Sequence, residues 1–170
     1  ALYLAKEARS LQQFGILAVM AGKPCLARDL SKQHTHALDA LVVNARELDG
    51  PIHKRQADLQ LPAQASWPWV EIVTSHAGAS GKLVETLVAQ GIQGIVVAGT
   101  GQGSVNKALA DQLIQAALNG VAVIRSSRVG AGAVFSEIPE PDTAWNWLSS
   151  RDLNPAKSRI ALQLALLEAN

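Results

Sequence analysis

Three runs, Val70-Glu71-Ile72-Val73, Gly94-Ile95-Val96-Val97-Ala98 and Val121-Ala122-Val123-Ile124, decide the fold of this chain. Each is short, almost wholly apolar and bounded by turn residues, which is the pattern of a buried strand. Between them, residues 80–90 and 105–118 repeat apolar side chains at helical spacing. Ser80 is placed to cap the first of these helices and Gly91 to close it, and Asn119-Gly120 ends the second. The order is β-α-β-α-β. Strands apolar on both faces need cover on both faces, and alternating helices supply it in a parallel sheet. A small doubly wound α/β domain is therefore predicted.

Working outward toward the C-terminus, Ser149 to Asp152 precede Leu153-Asn154-Pro155, and residues 156–168 read as a closing helix. Its Ile160, Leu162, Leu164, Leu166 and Leu167 are expected to be largely core. Toward the N-terminus, residues 49–68 lose periodicity. Gly50-Pro51, Pro62 and Pro68 punctuate a polar, Gln-rich stretch that reads as an interdomain connection. Before it, Ile16-Leu17-Ala18-Val19-Met20 reads as a short buried strand and Cys25-Leu26-Ala27 as a segment able to pair back on it. Residues 1–13 carry a helical stripe with no capping residue ahead of the first turn, so a preceding segment is expected. The organisation predicted is the end of one α/β domain over 1–48, a linker over 49–68 and a second domain over 69–170.

Composition narrows the function. Fifteen Lys and Arg against 14 Asp and Glu leave the chain near neutrality, which offers no electrostatic case for nucleic acid or an anionic membrane. No apolar run approaches the length of a membrane span. The single cysteine, Cys25, cannot form a disulfide within the chain, so cysteine usage does not separate cytoplasm from periplasm.

Gly99-Thr100-Gly101-Gln102-Gly103-Ser104 follows a strand and precedes a helix, where glycines let backbone approach a ligand and helix amides face a negative group. It lacks the Lys-Ser/Thr ending of a nucleotide loop and the dinucleotide spacing, and from the motif alone a tight strand-to-helix turn is the simpler reading. Arg125-Ser126-Ser127-Arg128 falls at the carboxyl edge of the predicted sheet, where open α/β sheets place ligands. Its arginines can clamp a carboxylate, pair structurally or lie in a solvated loop, and its serines can cap backbone groups. Lys32 matters because a buried lysine can lose its proton and act as a base toward a hydroxyl, although most lysines are surface groups. His34, His36, His53 and His76 show no convincing metal spacing and are expected at surface or turn positions. No metal site is predicted.

Several segments together are similar to the bacterial asparaginase/glutaminase family, in its type II branch. They are Val19-Met20 through Ala27-Arg28-Asp29-Leu30-Ser31-Lys32, then Gly94 to Ser104, and then Ala122-Val123-Ile124-Arg125-Ser126-Ser127-Arg128-Val129. Leu153-Asn154-Pro155-Ala156-Lys157-Ser158-Arg159 with Leu162-Gln163-Leu164-Ala165-Leu166 resembles the family's final helix. The resemblance implies the end of an N-terminal α/β domain followed by a small flavodoxin-like, parallel-sheet C-terminal domain. It implies hydrolysis of L-asparagine to L-aspartate and ammonia, with L-glutamine a possible second substrate.

By the same resemblance, Lys32 falls on the lysine of the family's Thr-Lys-Asp arrangement, which helps activate a threonine for attack on the amide and formation of an acyl-enzyme. Ser104 falls where the family places an Asn or Ser reaching into a neighbouring subunit's site. Glu140, in preference to Glu137, falls near the family's substrate-binding glutamate. Neither the family's nucleophilic threonine segment nor its second Thr-Asp segment occurs in these residues, so the nucleophile is expected outside this chain. The implied assembly is a homotetramer of intimate dimers, the implied location periplasmic with cytoplasm as the alternative, and no cofactor is implied. A noncatalytic module that binds an amino acid through the glycine loop and the arginines is the competing reading. Trp145 and Trp147 are candidate partner surfaces, with core packing the simpler role.

Overall fold

The computed structural model describes residues 16–20, 23–38, 40–43, 66–135 and 147–169. The chain divides into two units, Ala1–Ala57 with Gly130–Gly132, and Asp58–Val129 with Ala133–Asn170.

In the first unit, β1 (Leu17–Met20) pairs antiparallel with β2 (Lys23–Leu26), Ala18 facing Cys25. The Ala27 amide extends the ladder by donating to the Ile16 carbonyl at 3.0 Å. A single 3-10 turn, Ala27–Asp29, leads into β3 (Leu30–Lys32), which pairs antiparallel with β4 (Leu41–Val43). The pairing back of Cys25 and Leu26 is as expected, but burial of the first strand is not. Ile16 is 80% and Val19 40% exposed, and among the described residues no helix layer closes over this two-stranded ribbon. Between β3 and β4 the His34 ring accepts amides from His36 at 3.3 Å and Ala37 at 3.2 Å, which makes this a side-chain-stabilised turn. Both histidines are exposed, and no metal-holding cluster exists among the described residues. His76 is exposed as well, and His53 lies outside the described residues.

The second unit is built on a four-stranded, all-parallel sheet in the order β5 (Val70–Thr74), β6 (Gly94–Gly99), β7 (Ala122–Ser127), β8 (Trp147–Ser149). All six residues of β6 are buried, which is why its sequence is apolar at every position rather than alternately. Helices α1 (Lys82–Ala89) and α2 (Lys107–Leu118) connect the first three strands and cover one face. There Val84, Ile95, Val97, Leu109, Leu113 and Trp147 form the larger core. Helix α3 (Pro155–Glu168) covers the other face, with Leu162 set against Val70, Val96 and Ile124. Each fully buried aliphatic side chain contributes about 1.5–3 kcal/mol relative to exposure, so helices on both faces are what hold the sheet. Among the described residues no helix is long and apolar enough to cross a membrane.

The predicted flavodoxin-like parallel-sheet architecture is thus present, with four local corrections. The N-cap of α1 is Gly81, with no side-chain hydrogen bond, and Ser80 stays exposed and outside that position. Helix α2 starts two residues later than its apolar pattern, because Asn106 takes the cap by accepting the Ala108 amide at 3.0 Å. In α3, Ile160 is 49% exposed, whereas Ser158 and Gln163 are buried beside Leu162. The helix turns its Leu162 and Leu166 stripe to the sheet, and Ile160 falls off that stripe. Strand β8 was not anticipated, since three residues are too few to establish a period. The helix closures at Gly91 (φ +83) and Gly120 (φ +87) agree with expectation.

Candidate functional site

The carboxyl ends of β6 and β7 lie side by side, with Gly99 level with Ser127. Between β6 and α2 the chain must turn back within a few residues, and it does so in a tight loop. Thr100 and Ser104 form an isolated antiparallel bridge, the Thr100 amide donating to the Ser104 carbonyl at 3.1 Å and the Ser104 amide to the Thr100 carbonyl at 2.8 Å. Gly101 (φ +50) and Gly103 (φ +84) supply the left-handed backbone this closure needs. Gly99 has no room for a side chain, since a Cβ there would sit 2.5 Å from the Gly103 carbonyl carbon.

Two residues of β7 pin the loop from below. Arg125, only 7% exposed, donates through Nη1 to the Gln102 carbonyl at 2.6 Å and through Nη2 to the Phe135 carbonyl at 2.7 Å. Hydrogen bonds from a charged donor are worth about 1.5–3 kcal/mol each, so this tie is strong for a loop. The Ser127 hydroxyl donates to the Gly101 carbonyl at 2.5 Å and accepts the Val129 amide at 3.1 Å. The Arg128 amide donates to the Gly99 carbonyl at 3.0 Å, joining the exit of β7 to the loop's first residue.

The two arginines therefore do not form one carboxylate clamp. Arg125 is buried with its terminal nitrogens on backbone carbonyls, and Arg128 is exposed. The serines act as the capping alternative supposed, most clearly Ser127. Several amides of the glycine loop and the start of α2 already have partners within the chain. The Ala108 amide is taken by Asn106, the Asn106 amide by the Ser75 hydroxyl at 2.9 Å, and the Gly103 and Ser104 amides by Thr100.

What the loop presents is Ser104, exposed at the carboxyl edge of the sheet on backbone fixed from both sides. A hydroxyl there can both donate and accept, so it suits a polar or zwitterionic ligand of either polarity. Lys32 is the last residue of β3, opposite Leu41, and its side chain is exposed. It belongs to the other unit. Glu137, Glu140 and Trp145 lie outside the described residues. Trp147 is buried at 4% within the main core, which makes it packing and removes it from the candidate partner surface.

The buried role of Arg125 was not anticipated, whereas backbone capping by Ser127 was among the readings offered. The signal was present, because an arginine and a serine continue the apolar run of β7 with no turn residue between, and polar groups so placed must find buried partners.

Comparison with known proteins gives a consistent result. Residues 69–170 match the family model described as the Glutaminase/Asparaginase C-terminal domain. L-asparaginase 2 of Escherichia coli (strain K12) is 37% identical over 169 residues, covering 91% of this chain and 48% of the relative. A probable periplasmic L-asparaginase of Haemophilus influenzae is 33% identical over 168 residues, with 91% and 48% covered. A glutaminase-asparaginase of Pseudomonas fluorescens biotype A is 31% identical over 166 residues, with 89% and 46% covered. The chain spans about half the length of these curated relatives.

Proposed function

The chain belongs to the glutaminase/asparaginase family, and on that premise we propose that it supplies the C-terminal part of an enzyme hydrolysing L-asparagine to L-aspartate and ammonia, with L-glutamine a secondary substrate. The observation that carries this reading is the locked Gly99–Ser104 loop, which offers Ser104 at the carboxyl edge of a parallel sheet where such domains bind ligands.

In the proposed reaction a threonine hydroxyl outside this chain attacks the side-chain amide carbon. The Lys32 amine assists removal of the hydroxyl proton, ammonia leaves, and water cleaves the resulting ester to release aspartate. Ser104 hydrogen-bonds the substrate or a neighbouring catalytic group, and Glu140 pairs with the substrate's α-ammonium. The chemistry calls for no metal or organic cofactor.

On this reading residues 1–48 complete an N-terminal domain, 49–68 form the linker and 69–170 the C-terminal domain, in a homotetramer built from intimate dimers. The name of the Haemophilus relative supports a periplasmic location.

The roles separate kinetically. In an active enzyme containing this chain, Lys32→Ala is expected to lower kcat by about 10²-fold or more, the scale of a lost proton-transfer group. Ser104→Ala is expected mainly to raise KM. Full turnover by the Lys32→Ala enzyme would sink the proposed proton transfer, and saturable asparagine binding without ammonia release would favour the noncatalytic module.

A further inference from the structure

We infer that Arg125 is a positioning residue that sets the Gly99–Ser104 loop at a fixed spacing from the segment ending at Phe135, an inference that rests on the role proposed above for Ser104. Its two terminal nitrogens bridge separate segments of the second unit. Nη1 holds the carbonyl of Gln102, two residues before Ser104, and Nη2 holds the carbonyl of Phe135. A guanidinium is planar and its nitrogens keep a fixed separation, so two carbonyls bound to one such group are held at a fixed distance from each other. Lysine, with one ammonium on a flexible stem, carries the same charge and cannot reproduce that fork.

Burial strengthens the tie, because breaking it leaves a desolvated cation and two carbonyls in search of partners. The glycine loop also rests on the arginine stem, since a Cβ on Gly103 would lie 3.0 Å from Arg125 Cγ. Ser127 ties the glycine loop alone, through Gly101, and makes no such bridge to Phe135. The two side chains are therefore separable. Loss of the Ser127 hydroxyl should loosen one loop, whereas loss of the Arg125 fork should loosen both. Arg125 acts on the substrate only through the loops it holds, so its effect belongs in affinity.

Amide hydrogen exchange on the 170-residue chain tests the tie directly. In Arg125→Lys, exchange is expected to quicken by about tenfold or more at Thr100, Gly103 and Ser104 and also at Val134, with Ile95 to Ala98 still protected, the scale expected for losing one charge-assisted hydrogen bond. In Ser127→Ala only the first group should quicken. Unchanged exchange at either loop in Arg125→Lys would overturn the inference. Should that variant not fold, nitrogen-15 NMR of the unaltered chain decides instead. Hindered rotation about both Cζ–Nη bonds of Arg125 is expected, and free rotation would overturn the bridge. In the active enzyme, Arg125→Lys should raise KM severalfold with little change in kcat, and a fall in kcat at constant KM would contradict a positioning role. An unaltered enzyme that releases no ammonia defeats the proposed function, while the exchange and NMR results still report on the tie itself.

Discussion

Gly103 has φ +84, and a Cβ there would lie 3.0 Å from Arg125 Cγ and 3.2 Å from the Ser126 carbonyl. Gly103→Ala combines a strained backbone with a crowded neighbour and is expected to destabilise the chain by about 1–3 kcal/mol, read from urea unfolding midpoints. A neutral result would mean that the loop has another conformation open to it. At this scale the sequence was least informative. The resemblance, and not the chemistry of the residues, pointed to Lys32 and Ser104, because an exposed serine or a strand-end lysine has no local mark of function. Arg125 was visible as a charge at a strand end, but its partners are carbonyls 23 and 10 positions away, and carbonyls are the same in every sequence. No local pattern can reveal such a pair.

Among the elements, helix starts separate pattern from geometry. Asn106 and Asn154 accept the amides of Ala108 and Lys157, each at 3.0 Å, and Ser80 caps nothing. Asn106→Ala and Asn154→Ala are each expected to cost about 1 kcal/mol, and Ser80→Ala to fall within about 0.5 kcal/mol of zero, by chemical denaturation. A cost at Ser80 matching the other two would show that α1 starts earlier than the structure places it. Helices α1 and α2 were legible because apolar residues recur at helical spacing ahead of Gly91 and Gly120, and the first three strands of the sheet because each is a short apolar run. Strand β8 was not, since its three residues pair with β7 through the fold and not through any pattern of their own. Likewise β1 was legible as a strand but not as an exposed one, because an apolar run does not state whether a helix will cover it.

For the molecule as a whole, the decisive property is the sheet buried from both sides in the second unit. Leu113 is fully buried in the larger core and Leu162 3% exposed in the smaller one. Leu113→Ala is expected to destabilise by about 2–5 kcal/mol, with Leu162→Ala near the lower end because its cluster is smaller. The reverse ranking in thermal or urea unfolding would mean that α3, and not the α1 and α2 layer, dominates stability. This architecture could be read from three apolar runs because a strand buried on both faces has few alternatives. The functional site could not be read in the same way. Its proposed parts fall in separate units, in residues outside those described and, for the nucleophile, outside this chain.

Ammonia release from L-asparagine is the most direct test of that division of labour, measured on the purified 170-residue chain and on an enzyme in which the relatives' N-terminal portion is also present. That division predicts no turnover by the chain alone and turnover by the completed enzyme that falls sharply with Lys32→Ala. Hydrolysis by the chain alone would contradict it, because the nucleophile would then have to be one of the chain's own serines or threonines.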